Sequence, residues 1–106
     1  MRKLETFTSS ATSAYRVGSI KPVVAQDEER ADSLYPVNLT IFVGGTFSGA
    51  TATVQVGPTE NGPWADTSDG AFTAAGAVVS DMAYSMHFRV SPSGGDSNTD
   101  LELWAG

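Results

Sequence analysis

Between Val37 and Val56 the chain carries two alternating runs, Val37-Asn38-Leu39-Thr40-Ile41-Phe42-Val43 and Ala50-Thr51-Ala52-Thr53-Val54-Gln55-Val56, split by Gly44-Gly45-Thr46-Phe47-Ser48-Gly49. Successive side chains of an extended strand point to opposite faces, so each run predicts a strand with one apolar face and one face of threonine, asparagine and glutamine. A strand with a single oily face must be covered by a second layer. The pattern therefore predicts the wall of a sandwich, and no comparable pattern of reactive groups occurs elsewhere.

Eleven glycines and five prolines in 106 residues point to many tight turns rather than long helices. A single domain of this length buries only about 60 to 70% of the surface its unfolded chain exposes, so self-association would add needed burial. The absence of cysteine excludes a disulfide scaffold, a thiolate metal site and thiol catalysis. Met1-Arg2-Lys3 is basic, but Thr6 to Ala14 has no apolar core of the kind a secretory signal needs. No apolar run approaches the roughly 20 residues that span a bilayer, so a soluble protein with no membrane partner is expected.

The net charge of -6 argues against nucleic acid as a partner, because phosphate binding needs clustered lysine and arginine. Arg2, Lys3, Arg16, Lys21 and Arg30 all lie in the first 30 residues; beyond them Arg89 is the one basic side chain, against eight carboxylates from Ala31 onward. Residues 1–33 lack the regular patterning of the rest and are expected to form an extended N-terminal arm, with short extended stretches at Ala14–Val17 and Pro22–Ala25. Two readings of that arm stand side by side: a loosely packed terminus, or an extension over a neighbouring subunit. In the second, Arg2, Lys3, Tyr15, Arg16 and Lys21 would contribute to an interface.

Residues 34–106 are expected to form the body. After the first two strands, Asn61-Gly62 suits a hairpin reversal. Short strands are expected at Pro63–Thr67, Ala71–Thr73 and Ala77–Ser80, then a clear one at Tyr84–Ser91 with Tyr84, Met86, Phe88 and Val90 on one face. Asp100–Ala105 closes the chain with Leu101 and Leu103 facing inward. Six to seven short strands with turn signals at roughly 8 to 12 residue spacing predict an all-β fold, a small antiparallel β-sandwich with an N-terminal arm.

Candidate chemistry is sparse. His87 is the one histidine; it alternates with the core positions, so a solvated surface residue is expected, and neither a glycine-flanked serine nor a metalloprotease helix accompanies it. Asp66, Asp69, Asp96 and Asp100 sit at turns, where aspartate ordinarily bonds its own backbone, and their spacing does not match a calcium loop. No catalytic residue, metal or cofactor is expected. Trp64, Trp104, Phe47 and Tyr35 raise the possibility of a sugar-stacking platform. Trp104 is out of phase with Leu101 and Leu103, which puts it on an outer face or in an interface, where aromatic anchors are enriched.

Gly45-Thr46-Phe47-Ser48-Gly49-Ala50-Thr51-Ala52-Thr53-Val54-Gln55-Val56-Gly57-Pro58-Thr59-Glu60-Asn61-Gly62-Pro63-Trp64 resembles small tailed-phage virion proteins. Phe72-Thr73-Ala74-Ala75-Gly76-Ala77, Phe88-Arg89-Val90-Ser91 and Leu101-Glu102-Leu103-Trp104 look like the rest of the same pattern, so the resemblance covers roughly residues 37 to 106. Glu60-Asn61-Gly62-Pro63 departs from the more typical aspartate-glycine run. The resemblance implies a β-sandwich of the capsid decoration (cement) or head-fibre type and brings no catalytic residues with it. It implies a virion location on the outer capsid surface, the major capsid protein as partner and a homo-oligomer, for which shell symmetry favours a trimer. A carbohydrate-binding or adaptor module of a fibre or tail is the alternative.

Overall fold

The computed structural model describes residues 1–21 and 36–106. In chain order the elements are β1 (Arg2–Phe7), β2 (Tyr15–Arg16), the single helical turn α1 (Val17–Ile20), β3 (Pro36–Thr46), β4 (Ala50–Gly57), β5 (Ala65–Phe72), β6 (Gly76–Ala83), β7 (His87–Gly94) and β8 (Asp100–Ala105). They form two four-stranded sheets, β1-β8-β3-β6 and β2-β7-β4-β5. Every pairing is antiparallel. The expected small antiparallel β-sandwich is what forms.

Alternation decides which side chains face inward. Val37, Leu39, Ile41 and Val43 of β3 are buried, as are Ala50, Ala52 and Val54 of β4, Phe88 and Val90 of β7, and Leu101 and Leu103 of β8. Each fully covered valine, leucine, isoleucine or phenylalanine contributes about 1.5–3 kcal/mol relative to exposure. Met82 enters this core from β6 and Val17 from α1.

The glycine-rich stretch after Val43 does not close a hairpin. β3 and β4 belong to different sheets, and the chain crosses between the layers through Phe47-Ser48-Gly49, with the Ala50 N–H donating to the Phe47 carbonyl at 2.9 Å. Phe47 is buried at this crossing. Just before it, Gly45 has φ of 102° and a Cβ there would strike the Asp100 carbonyl oxygen, so glycine is needed both for the dihedral and for the approach of β8. The Asn61-Gly62 reversal does join paired strands, β4 and β5. β5 absorbs both short strands expected around it, through an irregularity opposite Thr53–Gln55. β7 starts at His87 rather than Tyr84, because Tyr84-Ser85-Met86 carries the chain from one sheet to the other. There the carbonyls of Tyr84 and Met86 accept the N–H groups of Gly18 and Val17, docking α1 on that end of the sandwich.

The expected arm requires correction over its described part. β1 pairs with β8, Arg2 opposite Ala105 and Phe7 opposite Leu101, and β2 pairs with β7, Tyr15 opposite Phe88. Residues 1–21 are therefore built into both sheets, which is why the described residues hold eight strands where six or seven were expected. The reason is apolar burial: Phe7 and Val17 are 7% and 0% exposed. A register shift between Lys3 and Glu5 breaks the period of β1, and β2 is only two residues long, so neither shows as alternation. The rest of the expected arm, including Arg30 and Pro22–Ala25, lies outside the described residues.

The two sides of the sandwich differ. At the β1/β2 side the Tyr15 hydroxyl donates to Glu5 Oε1 at 2.6 Å and the Ser13 N–H donates to the same oxygen at 3.0 Å, bonding one sheet to the other. Thr12 extends the pairing of β7, its N–H donating to the Val90 carbonyl while its hydroxyl accepts the Val90 N–H at 3.0 Å. At the β5/β6 side a groove of about 390 Å³ runs between the sheets, lined by Thr67, Ser68 and Asp69 of β5 and by residues of β6 including Val78 and Ser80.

Candidate interaction surface

The outer face of the β1-β8-β3-β6 sheet is not uniformly polar. Ladder register aligns Lys3, Trp104, Phe42 and Ala77 in one row across all four strands. Thr40 and Val79 occupy the adjoining row. Val79 is 64% exposed, one of two large apolar side chains so open among the described residues, while Phe42 and Trp104 are half-buried. This is an apolar stripe on the outside of a sheet whose other face already holds the core.

The stripe is fixed by its neighbours. The Trp104 indole Nε1 donates to Glu102 Oε1 at 3.0 Å, two positions back on the same face of β8, and Lys3 Nζ lies 3.9 Å from Glu102 Oε2. That ion pair is more than a third exposed on both sides and contributes under about 1 kcal/mol; its effect is to hold Glu102 where it holds the indole. The Phe42 ring lies over Gly44, where an added Cβ would come within 2.7 Å of the ring. Any larger residue at 44 would displace the aromatic.

Of the six interface candidates, the structure brings Lys3 and Trp104 together as ladder partners. Arg2 is exposed in β1 beside them. Tyr15, Arg16 and Lys21 serve the fold. The Tyr15 ring packs 5.8 Å from that of Phe88, and burial, then the bond to the Glu5 carboxylate and its charge, push the phenol up to about 12. The Arg16 guanidinium lies 4.9 Å from the centre of the Tyr84 ring, and Lys21 Nζ donates to the Asn38 carbonyl at 2.8 Å. None of the three stands on a segment extending away from the body. Phe42, Ala77 and Val79 were missed as surface residues; the available signal was Ile41-Phe42-Val43, a triplet apolar on both faces.

The opposite outer face holds a polar row, Arg89, Gln55 and Asp66, aligned across β7, β4 and β5. Arg89 Nε donates to Gln55 Oε1 at 2.9 Å and Gln55 Nε2 donates to Asp66 Oδ1 at 2.8 Å. The Arg89 guanidinium lies over the Trp64 ring, 4.6 Å from its centre, so this cation–π contact covers a face that sugar stacking would need free. Phe47 is in the core, and Tyr35 lies outside the described residues. Trp104 is left as the aromatic of that set with an open outer-sheet position.

His87 differs from expectation: it is half-buried, and its Nδ1 is enclosed without a hydrogen-bond partner. Asp96 behaves as a turn residue, accepting from the Ser48 hydroxyl at 2.6 Å and from the Asn98 N–H at 2.8 Å; these bonds, the serine first, hold its carboxyl below the usual range. Among the described residues no group of three or more histidine, aspartate or glutamate side chains is placed to hold a metal, and no helix is long and apolar enough to cross a membrane. No protein-family model, curated protein or solved structure matches the chain.

Proposed function

We propose that this protein is a non-catalytic structural component of a phage virion, a decoration protein that binds the outside of the head through major capsid subunits and acts as a homo-oligomer. The observation that carries the reading is the apolar stripe Trp104–Phe42–Ala77–Val79 on an outer sheet face. Such a row adds nothing to the fold's own core and suits a partner surface. Support also comes from the resemblance over residues 37–106. The mechanism is linkage: a protein that binds only assembled subunits stabilises the assembly by the free energy of that binding.

The test is electron microscopy and heat-release assays on shells prepared with and without the protein, using full-length chain and the Trp104→Ala and Phe42→Ser variants. The reading expects ordered density on shells, a higher release temperature, and loss of both in folded variants. Shells that show no added density and no shift overturn it. Glycan-array binding that disappears in Trp104→Ala, without shell binding, would establish the carbohydrate module in its place.

A further inference from the structure

Four strands end the two sheets among the described residues: β1, β6, β2 and β5. An open edge presents unpaired N–H and C=O groups to any other chain, and proteins guard such edges with bulges, charges or brevity. Three of the four are guarded. β1 carries Arg2, Lys3 and Glu5 and a register shift between Lys3 and Glu5; β2 has two residues; β5 carries Asp66 and Asp69 and a break in its register with β4.

β6 is the exception. Its eight residues pair with β3 without interruption, from Gly76 opposite Val43 to Ala83 opposite Pro36. It contains one charge, Asp81, and the five residues before it, Gly76-Ala77-Val78-Val79-Ser80, carry none. Among the described residues no strand pairs with its far side.

We propose that β6 is the pairing edge for a second copy of this chain, joined antiparallel about a two-fold axis through Val79. A two-fold contact places the same patch on both subunits, and the β6 sequence suits that arrangement. Val79 falls opposite the partner subunit's Val79, covering an apolar side chain that is 64% exposed. Ala77 falls opposite the partner subunit's Asp81, so no carboxylate faces its own copy. Shifting the axis to Ser80 would put Val79 against a carboxylate, and shifting it to Asp81 would oppose two carboxylates, which cross-strand pairing disfavours. In this register the Trp104–Phe42–Ala77 row of each subunit runs up to the partner subunit's Asp81, and the two facing Val79 side chains form the apolar centre of the seam. Dimerisation here takes the place of the three-fold arrangement suggested by shell symmetry. It stands apart from the virion reading: a dimer that ignores shells sinks only that reading, and a monomer that binds them sinks only this one.

The test is sedimentation of the full-length protein across concentration, with hydrogen exchange of the β6 amides. The expected result is a monomer–dimer equilibrium, with β6 amides exchanging more slowly as the dimer fills. Higher salt should tighten it by screening the net charge of -6 on each chain. Val79→Lys should weaken association by about tenfold or more, through like charges directly opposed. Ala77→Lys should leave it equal or stronger, since each lysine would face the partner subunit's Asp81. Because the chain has no cysteine, Val79→Cys should form an intersubunit disulfide on mild oxidation. A monomer at all concentrations overturns the proposal, whether β6 exchanges freely or is protected from within the chain, and so does an oligomer indifferent to both lysine variants.

Discussion

The β1/β2 side of the sandwich and the β5/β6 side are made from the same kind of strand and finished in opposite ways. On the first, Glu5 of one sheet accepts bonds from Tyr15 and Ser13 of the other segment, and Thr12 completes the β7 ladder. On the second, β5 and β6 are linked by the turn at 73–75 and a groove is left between them. The lesson is that hydrogen-bond satisfaction, rather than apolar burial, separates the two: both sides lend side chains to the core, Phe7 on one and Met82 on the other. One side is tied together by side-chain hydrogen bonds across the layers, and the other leaves a groove between them.

The contrast can be broken most severely at the ring beneath the β1/β2 side. Phe88→Ala, at a position with 0% exposure and packed against Tyr15, should cost about 3–5 kcal/mol in urea unfolding. Glu5→Ala removes two acceptor contacts at once and should cost about 1–2 kcal/mol by the same measurement. Alkaline titration sharpens the comparison further. The folded Tyr15 phenol keeps its proton up to about 12, whereas the unfolded phenol loses it near 10, so stability falls as pH rises through that window. The half-exposed position holds this loss under about 1 kcal/mol. Absorbance of ionised tyrosine should show a late-titrating step, and Tyr15→Phe should abolish it. Asp81→Ala on the open side deletes an exposed bond from Asn38 and should change unfolding free energy by less than about 0.5 kcal/mol. A loss comparable to that of Glu5→Ala would erase the distinction between the sides.

Much of the architecture was legible because period-two alternation is a local signal. Val37 to Val43, Ala50 to Val54 and Leu101 to Ala105 each declare their inner faces, and those faces are the ones buried. Trp104 was legible on the outer face for the same reason. What alternation does not encode is which strand stands beside which. The crossing of layers after Gly45, the pairing of β1 with the opposite end of the chain, and the row linking Lys3, Trp104, Phe42 and Ala77 are all long-range facts. Phe42 was hidden because an apolar residue inside an apolar run reads as more core. Val79 was hidden because it lies within a short strand whose register only β3 supplies.

The path of the chain has a kinetic consequence. Starting from β1, the successive strands of the described residues fall in one sheet, then the other, and alternate in that way except from β4 to β5. Apart from that one hairpin, no pair of ladder neighbours among the described residues is adjacent in sequence, so closing either sheet requires long loops to be ordered before their contacts repay the entropy. Topologies of this kind acquire native structure slowly, on the order of milliseconds to seconds, and mostly all at once. A deletion of either end would therefore remove a wall that the remaining strands cannot replace from their own neighbours.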